Sequence, residues 1–365
     1  METGLFFALG LALLVLGGEL LVKGASRLAA LMKMSPLVVG LTVVAYGTSS
    51  PELATNLIAV HENKLDIAVG NVVGSNIFNV FFILGVSALI VPLVVHRQVV
   101  RLDVPIMIAA SLLLLLLGLD GALTRFDGLL LFGAVLFYTF FIIRESRREQ
   151  RQDDTPETGP DPAAEEGRGK TWFVSIALVL GGLGTLVLGS KWLVDSAIVI
   201  AKSMGVSELV IGLTLVAAGT SLPEVITSIV AALRGQRDIA VGNVVGSNIY
   251  NILAILGLSS ILAKDGIPLS PATLGFDIPV MIGAAVACLP IFFTGHRIAR
   301  WEGALFLLYY VAYTLFLILK SLQHDSLPLF SGWMLGYVIP LTAVTLMVYF
   351  LRAMVEHARS SAASQ

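Results

Sequence analysis

The sequence predicts an all-α polytopic membrane protein, built from two inverted-topology five-helix repeats (ten helices) plus an eleventh C-terminal helix. Three observations lead to this fold class. Of the 365 residues, 56% are hydrophobic and only 13% are charged, whereas a soluble domain has roughly 25% charged residues. Apolar stretches of about 20 residues, the length of a helix that crosses a bilayer, recur along the chain. Two sequence blocks also occur twice at one common offset.

Eleven apolar stretches are long enough to span a bilayer as helices. The first has no basic residues before it and no small-residue cleavage site after it, so we expect a retained span and not a signal peptide. The predicted spans are residues 4–22, 36–60, 66–91, 102–119, 128–143, 171–194, 208–233, 238–262, 274–294, 301–319 and 331–351.

The distribution of Lys and Arg predicts the orientation of these spans, because positive residues concentrate in cytoplasmic loops. With the N-terminus outside, the inner loops hold seventeen of the 23 Lys and Arg residues and the outer loops hold six. We therefore expect a multi-pass protein of the cell (inner) membrane, with residues 144–170 and the C-terminus in the cytoplasm.

Residues 144–170 form the one long polar segment, and their Pro, Gly and Glu content is typical of a disordered linker. The stretch GRGKT at its end lacks the leading glycine of a phosphate-binding loop, since Ala164 occupies that position, so no ATP site is predicted. The linker separates a first repeat, residues 1–143, from a second repeat, residues 171–320. Residues 321–365 add the extra helix and a tail.

The two halves repeat each other in sequence. Residues 40–60 match residues 212–232 at 12 of 21 positions, and residues 67–79 match residues 239–251 at 12 of 13, both with an offset of 172 residues. Each half has five spans, and because five is odd, the second half must enter the membrane in the opposite orientation. Inverted repeats with interrupted helices place a substrate site near the middle of the membrane.

The block GLTVVAYGTSSPE at 40–52 interrupts an apolar span with a proline and a carboxylate. Pro51 lacks a backbone donor, so we expect the helix to break before it and to leave the carbonyls of Ala45 and Thr48 without intrahelical partners. Glu52 follows at a depth where a charge costs at least about 2.5 kcal/mol, which indicates a functional site. The second half repeats the set as Gly219, Thr220, Ser221, Pro223 and Glu224.

The second repeated block, GNVVGSN followed three residues later by Asn, adds further oxygen ligands. Ser75 and Asn79 are four residues apart and share one helix face, as do Ser247 and Asn251. Its glycines Gly74 and Gly246 are expected to allow close helix approach. With no His or Cys nearby, an all-oxygen site favours a hard cation, and two carboxylates match one Ca²⁺ or partly neutralise several Na⁺.

These paired blocks resemble the two α-repeats of the sodium/calcium exchanger family, in the cation/calcium antiporter superfamily, and the chain is similar to its prokaryotic members over about residues 1–320. The resemblance implies two inverted five-helix halves, alternating access by sliding of the first and sixth helices, and exchange of three Na⁺ for one Ca²⁺ without a cofactor. It also implies cation ligands from the side chains of Glu52, Glu224, Ser49, Ser221, Ser75, Ser247, Asn79 and Asn251 and from the backbone carbonyls of Ala45, Thr48, Ala217 and Thr220.

Asn251 departs from the potassium-dependent branch of the family, which has Asp at this position. We therefore expect electrogenic, K⁺-independent exchange, with a K⁺-dependent Na⁺/Ca²⁺ exchanger as one alternative. A second alternative is an H⁺/Ca²⁺ antiporter, although relatives of that kind replace the G-S-N block with an acid–histidine pair that this chain lacks. A cation channel is a third, but it would need no deep pair of acids.

An enzyme is not expected, because an intramembrane hydrolase needs a nucleophile–base pair and no His or Cys lies near the motifs. The single cysteine, Cys288, excludes an internal disulfide and is expected to pack in the interior. A net charge of −2 argues against a nucleic-acid partner. The expected partners are Na⁺, Ca²⁺ and the lipid bilayer, without ATP or an obligate protein partner.

Four charged residues at equivalent positions of the two halves complete the sequence expectations. Asp103 and Asp277 each precede a proline and are expected to cap the following helices. Glu19 and Lys191 lie within the first and sixth spans, where they either pair across the halves or extend toward opposite membrane faces.

Overall fold

The computed structural model describes residues 2–153, 168–204 and 217–363, although not the side chains of residues 149–153, 168, 217 and 356–363. Within these ranges nine helices are long and apolar enough to cross a membrane, and a bent pair makes a tenth span. The helices are α1 Glu2–Met32, α2 Pro36–Thr48, α3 Ser50–His61, α4 Leu65–Ile90, α5 Val99–Asp120, α6 Arg125–Asp153, α7 Arg168–Ser203, α8 Leu222–Leu233, α9 Arg237–Leu262, α10 Thr273–His296, α11 Arg300–Ser321 and α12 Leu327–Val355.

Every predicted span overlaps one of these helices, which confirms the all-α membrane fold. The seventh predicted span is seen only in part, because α8 and the short helix Ala217–Gly219 cover its second half and the rest lies outside the described residues. The predicted linker likewise falls mostly outside them. The last span, α12, is also present, and none of its most apolar stretch is buried by the rest of the protein.

The predicted break in the second span occurs at Ser49, where α2 and α3 meet at an angle of 44°. Ser49 has φ −81° and ψ 9°, outside the helical minimum, and Pro51 lies in the first turn of α3. The proline ring fixes its own φ and removes one donor, so it is tolerated at a helix start but not inside a helix. The break is therefore a local consequence of the sequence.

Helices α1 and α7 run antiparallel with their backbones in contact along glycine positions. A Cβ added at Gly17 would lie 2.8 Å from the Leu186 nitrogen, and one added at Gly189 would lie 2.8 Å from the Leu14 nitrogen. Small residues permit such close approach between membrane helices. Because Gly17 and Gly189 are equivalent under the repeat, both halves contribute to the contact in the same way, and the two helices form one tightly packed unit.

Two short antiparallel strand pairs join the halves in the connections between helices. Strand β1 (Leu93–Val94) pairs with β4 (Arg297–Ile298), and β2 (Ala122–Leu123) pairs with β3 (Ile267–Pro268). Beside them, Arg125 Nε donates to the carbonyl of Ala263 at 3.1 Å. In each strand pair, one strand comes from the first half and the other from the second half, so both pairs connect the two halves.

Asp103 and Asp277 do not cap helices, so that prediction was wrong. Both have helical backbone angles and make no capping hydrogen bond. The helical segments at Val99 and Thr273 begin before the two aspartates, which leaves each carboxylate inside its helix. There Asp103 accepts from the Tyr138 hydroxyl at 3.0 Å and Asp277 accepts from the Tyr313 hydroxyl at 3.2 Å. Asp103 therefore connects α5 to α6, and Asp277 connects α10 to α11.

Candidate cation-binding site

Two glutamates from different halves are buried inside the protein. Glu52 is in the first turn of α3 and Glu224 is in the first turn of α8, each just after a helix break. Both are only 1% exposed. A helix N-terminus favours a negative charge, which partly offsets the cost of burying a carboxylate. Among the described residues, neither glutamate forms an ion pair with a cationic side chain.

Serines of the opposite half hold these glutamates. The Ser49 hydroxyl donates to Glu224 Oε1 at 2.8 Å, and the Ser221 hydroxyl donates to Glu52 Oε1 at 2.7 Å. Ser221 Oγ also lies 3.3 Å from Ser75 Oγ. The structure therefore brings these five predicted site residues into direct contact, and the two glutamate bonds are reciprocal between the halves.

Four strong acceptor oxygens in this region have no hydrogen-bond partner among the described residues, although all four are buried. They are Oε2 of Glu52, Oε2 of Glu224, Oδ1 of Asn79 and Oδ1 of Asn251. Leaving a buried polar atom unsatisfied costs about 1–3 kcal/mol, and more if it is charged. Carboxylate and amide oxygens are the donors that hard cations take. Each of these four oxygens therefore keeps the capacity to accept a hydrogen bond or to ligate a cation.

Asn79 and Asn251 each begin a π-helical turn, Asn79–Leu84 in α4 and Asn251–Leu256 in α9. Such single turns inside α-helices are frequent at functional sites because they widen the helix and redirect side chains. Both asparagines are 1% exposed. The sequence predicted one continuous helix here, since a π-turn has no local signal comparable to that of proline.

The remaining predicted ligands lie at the edge of this cluster. Ser247 Oγ lies 3.5 Å from the Ala45 carbonyl, a long contact. That carbonyl also accepts the Ser49 amide at 3.0 Å, so the expectation that Ala45 lacks an intrahelical partner was wrong. The bend is small enough that the helical hydrogen bond survives. Thr48 Oγ1 lies 3.1 Å from Asn243 Oδ1.

The structure says less about the two carbonyl ligands that were predicted in the second half, Ala217 and Thr220. Ala217 belongs to the short helix Ala217–Gly219, and its side chain is outside the description. Thr220 has a buried hydroxyl that makes no hydrogen bond to a described residue. No described contact joins Ala217 to the cluster, whereas Thr220 lies beside the Glu52 carboxylate.

Several asparagines that were not predicted as ligands support the site. Asn76 and Asn248 bond to the asparagines of the opposite half, as Asn251 Nδ2 donates to Asn76 Oδ1 at 3.1 Å and Asn79 Nδ2 donates to Asn248 Oδ1 at 3.0 Å. Asn243 Nδ2 donates to Ser228 Oγ at 3.0 Å. The signal available in the sequence was the presence of these asparagines in both repeated blocks.

The expected close approach at the motif glycines occurs in one half only. A Cβ at Gly246 would lie 2.7 Å from Leu41 Cα and closer still to the Leu41 carbonyl oxygen, whereas no described atom comes within 4 Å of a Cβ at Gly74. The prediction is confirmed for Gly246, and among the described residues Gly74 has no such neighbour. The two halves therefore pack differently around equivalent motifs.

Comparison with known proteins agrees with the family resemblance of the two repeated motifs. The sequence profile of the family described as sodium/calcium exchanger protein matches residues 3–144 and 174–319. Inner membrane protein YrbG of Escherichia coli is 37% identical over 283 residues, which cover 75% of this chain and 83% of YrbG. Sodium/calcium exchanger MaX1 of Methanosarcina acetivorans is 35% identical over 345 residues, which cover 85% of this chain and 96% of MaX1.

The fold also matches a solved structure. The sodium-calcium exchanger NCX_Mj, soaked with 10 mM Na⁺ and zero Ca²⁺, superposes with a TM-score of 0.72 at 31% sequence identity, over 85% of this chain and 96% of that one. Together with the repeated motifs, these matches decide the class of the protein. The chain belongs to the sodium/calcium exchanger protein family and is a multi-pass cation/calcium antiporter, not an enzyme.

Proposed function

We propose that this protein exchanges Na⁺ for Ca²⁺ across the membrane by alternating access, with the cluster around Glu52 and Glu224 as the transport site. The observation that carries the proposal is the set of four buried acceptor oxygens without a hydrogen-bond partner among the described residues. Two belong to carboxylates and two to amides, and they come equally from the two halves. A dehydrated hard cation between the halves would satisfy all four.

Ca²⁺ takes about six to eight oxygen ligands, more than these four atoms supply. The serines that contact the glutamates add hydroxyl oxygens, because each hydroxyl keeps acceptor capacity while it donates. The proposed side-chain ligands are thus Glu52, Glu224, Ser49, Ser221, Ser75, Ser247, Asn79 and Asn251. The carbonyls of Ala45, Thr48, Ala217 and Thr220 complete the proposed set.

Charge favours K⁺-independent, electrogenic exchange. With asparagine at both 79 and 251, the proposed ligands carry two formal negative charges, from Glu52 and Glu224. One Ca²⁺ neutralises them without a proton or K⁺. At three Na⁺ per Ca²⁺, each cycle moves one net positive charge in the direction of Na⁺.

Unequal exposure of the two motif helices supports alternating access. Ile67 of α4 is 51% exposed, whereas the equivalent residue Ile239 of α9 is 0% exposed. Gly70 is likewise exposed and its equivalent Gly242 is buried. Conformations that exchange these two environments would open the site to opposite sides of the membrane in turn.

For the cell context, we propose the inner membrane, with the N-terminus outside and the linker and C-terminus in the cytoplasm. Na⁺ and Ca²⁺ are the proposed substrates, and the bilayer is the surrounding partner. The charge asymmetry of the loops supports this orientation.

Ion flux in proteoliposomes tests the function. Vesicles loaded with Na⁺ and diluted into choline should take up ⁴⁵Ca²⁺, and vesicles loaded with choline should not. Uptake driven equally well by a proton gradient without Na⁺ would identify an H⁺/Ca²⁺ antiporter, and uptake that stops when K⁺ is removed would identify the potassium-dependent type. Na⁺-independent passive flux would identify a channel.

A further inference from the structure

Four asparagines beside the site form two polarised chains. In one chain Asn79 Nδ2 donates to Asn248 Oδ1 at 3.0 Å, and Asn248 Nδ2 lies 3.4 Å from Met107 Sδ. In the other, Asn251 Nδ2 donates to Asn76 Oδ1 at 3.1 Å, and Asn76 Nδ2 lies 3.6 Å from Met281 Sδ. The chains cross between the halves in opposite directions.

Each chain ends on groups that can only accept. A thioether has no proton to donate, and neither has the Asn248 backbone carbonyl, which accepts from Asn76 Nδ2 at 3.2 Å. The inner asparagine must therefore point its NH₂ group at the acceptor and its oxygen at the outer asparagine. The outer asparagine must in turn donate with its own NH₂ group. Its oxygen is then left without a partner, as found for Asn79 Oδ1 and Asn251 Oδ1.

We infer that Asn76 and Asn248, backed by Met281 and Met107, are positioning residues that make Asn251 and Asn79 present oxygen, and not NH₂, to the transported cation. An amide has two ends of similar size, so its ligand character depends entirely on which end faces the ion. This inference rests on the proposed cation site and adds residues that do not touch the ion.

A double-mutant cycle on Ca²⁺ binding tests this role. Asn248→Ala removes the acceptor for Asn79 Nδ2, so the amide can turn its NH₂ group toward the ion. We expect Ca²⁺ affinity of the purified protein, measured by equilibrium dialysis with ⁴⁵Ca²⁺, to fall roughly tenfold. In an Asn79→Asp background both ends of the side chain are oxygens. In that background, Asn248→Ala should lower the logarithm of the Ca²⁺ affinity by less than half as much as it does in the wild-type protein.

A role limited to packing predicts a different outcome. The loss caused by Asn248→Ala would then be equal in the wild-type and Asn79→Asp backgrounds, and that result would overturn the inference. Asn79→Ala provides a second background without an amide to orient, where Asn248→Ala should add almost nothing. The matched control is Asn56→Ala, a buried asparagine that bonds Ala68 and Ser259. Its effect should be the same in every background.

These outcomes are separable from failure of the proposed function. If the wild-type protein binds Ca²⁺ and the cycle is additive, only the positioning role is wrong. If the wild-type protein binds neither Ca²⁺ nor Na⁺, the transport site itself is wrong.

An ion pair between α1 and the turn after α8 is an independent observation. Arg234 Nε lies 2.9 Å from both carboxylate oxygens of Glu19, and Arg234 Nη2 lies 2.6 Å from Glu19 Oε1. Next to Glu19, α1 also packs on α8, since a Cβ at Gly18 would lie 3.1 Å from Ile226 Cγ2. Glu19 therefore does not pair with Lys191, which was one of the two expectations from sequence.

The repeat contains the same pair with its charges exchanged. At the offset of 172 residues, Glu19 corresponds to Lys191 and Arg234 corresponds to Glu62. Lys191 is exposed on α7 and makes no ion pair or hydrogen bond to a described residue. Glu62 bonds instead to its neighbour Lys64 at 2.6 Å. In the described part of the chain, α7 also lacks against α3 the close packing that α1 has against α8.

We propose that Glu19–Arg234 and Lys191–Glu62 are alternative ion pairs, one for each conformation of the transport cycle. Inverted repeats reach their second conformation when each half adopts the contacts of the other. The packing of α1 on α8 would then be replaced by packing of α7 on α3, and Lys191 would meet Glu62. Since α1 and α7 are tightly packed on each other, one movement of this unit breaks the first pair and forms the second.

Thiol labelling of two reporter cysteines tests this exchange in detergent, where both faces are accessible and no transported ion is needed. In a Cys288→Ala background, Ile67→Cys should label quickly and Ile239→Cys slowly, as their exposure requires. Glu19→Gln should slow the first reporter and speed the second by up to about fivefold, the range of an exposed ion pair. Lys191→Gln should shift both rates in the opposite direction.

Combined Glu19→Gln and Lys191→Gln should return both rates toward the wild-type values, and the exchanged pair Glu19→Arg with Arg234→Glu should resemble wild type. The matched control is Asp195→Asn, which removes another exposed charge from α7 and should change neither rate. If Glu19→Gln and Lys191→Gln shift the reporters in the same direction, or not at all, the alternative-pair proposal is wrong. Transport assays remain a separate test of the function.

Discussion

The Ser49 hydroxyl of the first half donates a hydrogen bond to Glu224 Oε1 of the second half at 2.8 Å, across 175 residues of sequence. The equivalent Ser221 does the same for Glu52. Each acid therefore depends on a residue beside the helix break of the other half. The geometry couples the two breaks to one site, so that a movement of either half changes the ligands of both acids.

Neutralising either acid should abolish transport. Glu52→Gln and Glu224→Gln keep the side-chain shape but remove one of the two charges that match Ca²⁺. We expect Na⁺-dependent ⁴⁵Ca²⁺ uptake in proteoliposomes to fall by at least about a hundredfold, with normal expression because no buried charge is added. The matched control, Glu2→Gln at the exposed start of α1, should retain full uptake. Robust exchange in either acid variant would contradict the central-site proposal.

Removing a single serine hydroxyl should weaken the site without abolishing it. A hydrogen bond to a charged group contributes about 1.5–3 kcal/mol, so Ser49→Ala or Ser221→Ala should raise the Ca²⁺ concentration for half-maximal uptake roughly tenfold or more. Ser50→Ala is the control within the same motif, because Ser50 Oγ is exposed and, among the described residues, bonds only to the Tyr46 carbonyl. Equal effects of Ser49→Ala and Ser50→Ala would show that the glutamate bond is not the cause.

Asn251 should make transport independent of K⁺. An amide oxygen can ligate a cation without adding a formal charge, so two carboxylates and one Ca²⁺ balance. Asn251→Asp would place a third carboxylate beside them, and a proton or K⁺ would then be needed to compensate. We expect the variant to show new sensitivity to pH or K⁺, measured as Ca²⁺ uptake at clamped potential with K⁺ replaced by choline. Wild-type uptake that is lost without K⁺ would refute this charge balance.

Equivalent glycines should differ in their tolerance of alanine. Gly246→Ala would press a methyl group into the Leu41 backbone, and overpacking of this kind costs about 1–3 kcal/mol. We expect a lower thermal unfolding midpoint in detergent, by at least about 2 °C. Gly74→Ala, whose Cβ meets no described atom within 4 Å, is the matched control and should leave the midpoint unchanged. Equal destabilisation would show that the two halves are packed alike.

The proposed orientation can be measured by cysteine accessibility. In the Cys288→Ala background, Ser361→Cys should react with a membrane-impermeant thiol reagent only after the cells are opened. A reporter placed in the linker should behave in the same way, and one at residue 2 should react in intact cells. Labelling of Ser361→Cys from outside would mean that the last helix crosses the membrane in the other direction or not at all.

Sequence alone determined the features that depend on local chemistry or on length. Apolar stretches of about 20 residues become helices because a bilayer leaves no other way to satisfy the backbone, and all the predicted spans overlap helices. Pro51 breaks its span because of its own ring and missing donor, independently of any neighbour. The repeated blocks likewise indicated which residues of the two halves correspond, because matching sequence at a constant offset implies equivalent positions in the two halves.

Tertiary structure alone decided which side chains meet. Apolar residues lie on every side of helix α4, so its hydrophobic pattern does not indicate how the helix is rotated or which residue its asparagines face. The bond between Asn79 and Asn248, the pairing of Glu19 with Arg234 and the contact of Asp103 with Tyr138 each depend on how the helices that carry these residues are rotated and packed. The π-turns at Asn79 and Asn251 have the same origin, because a gain in packing and ligand geometry, and not local propensity, stabilises them.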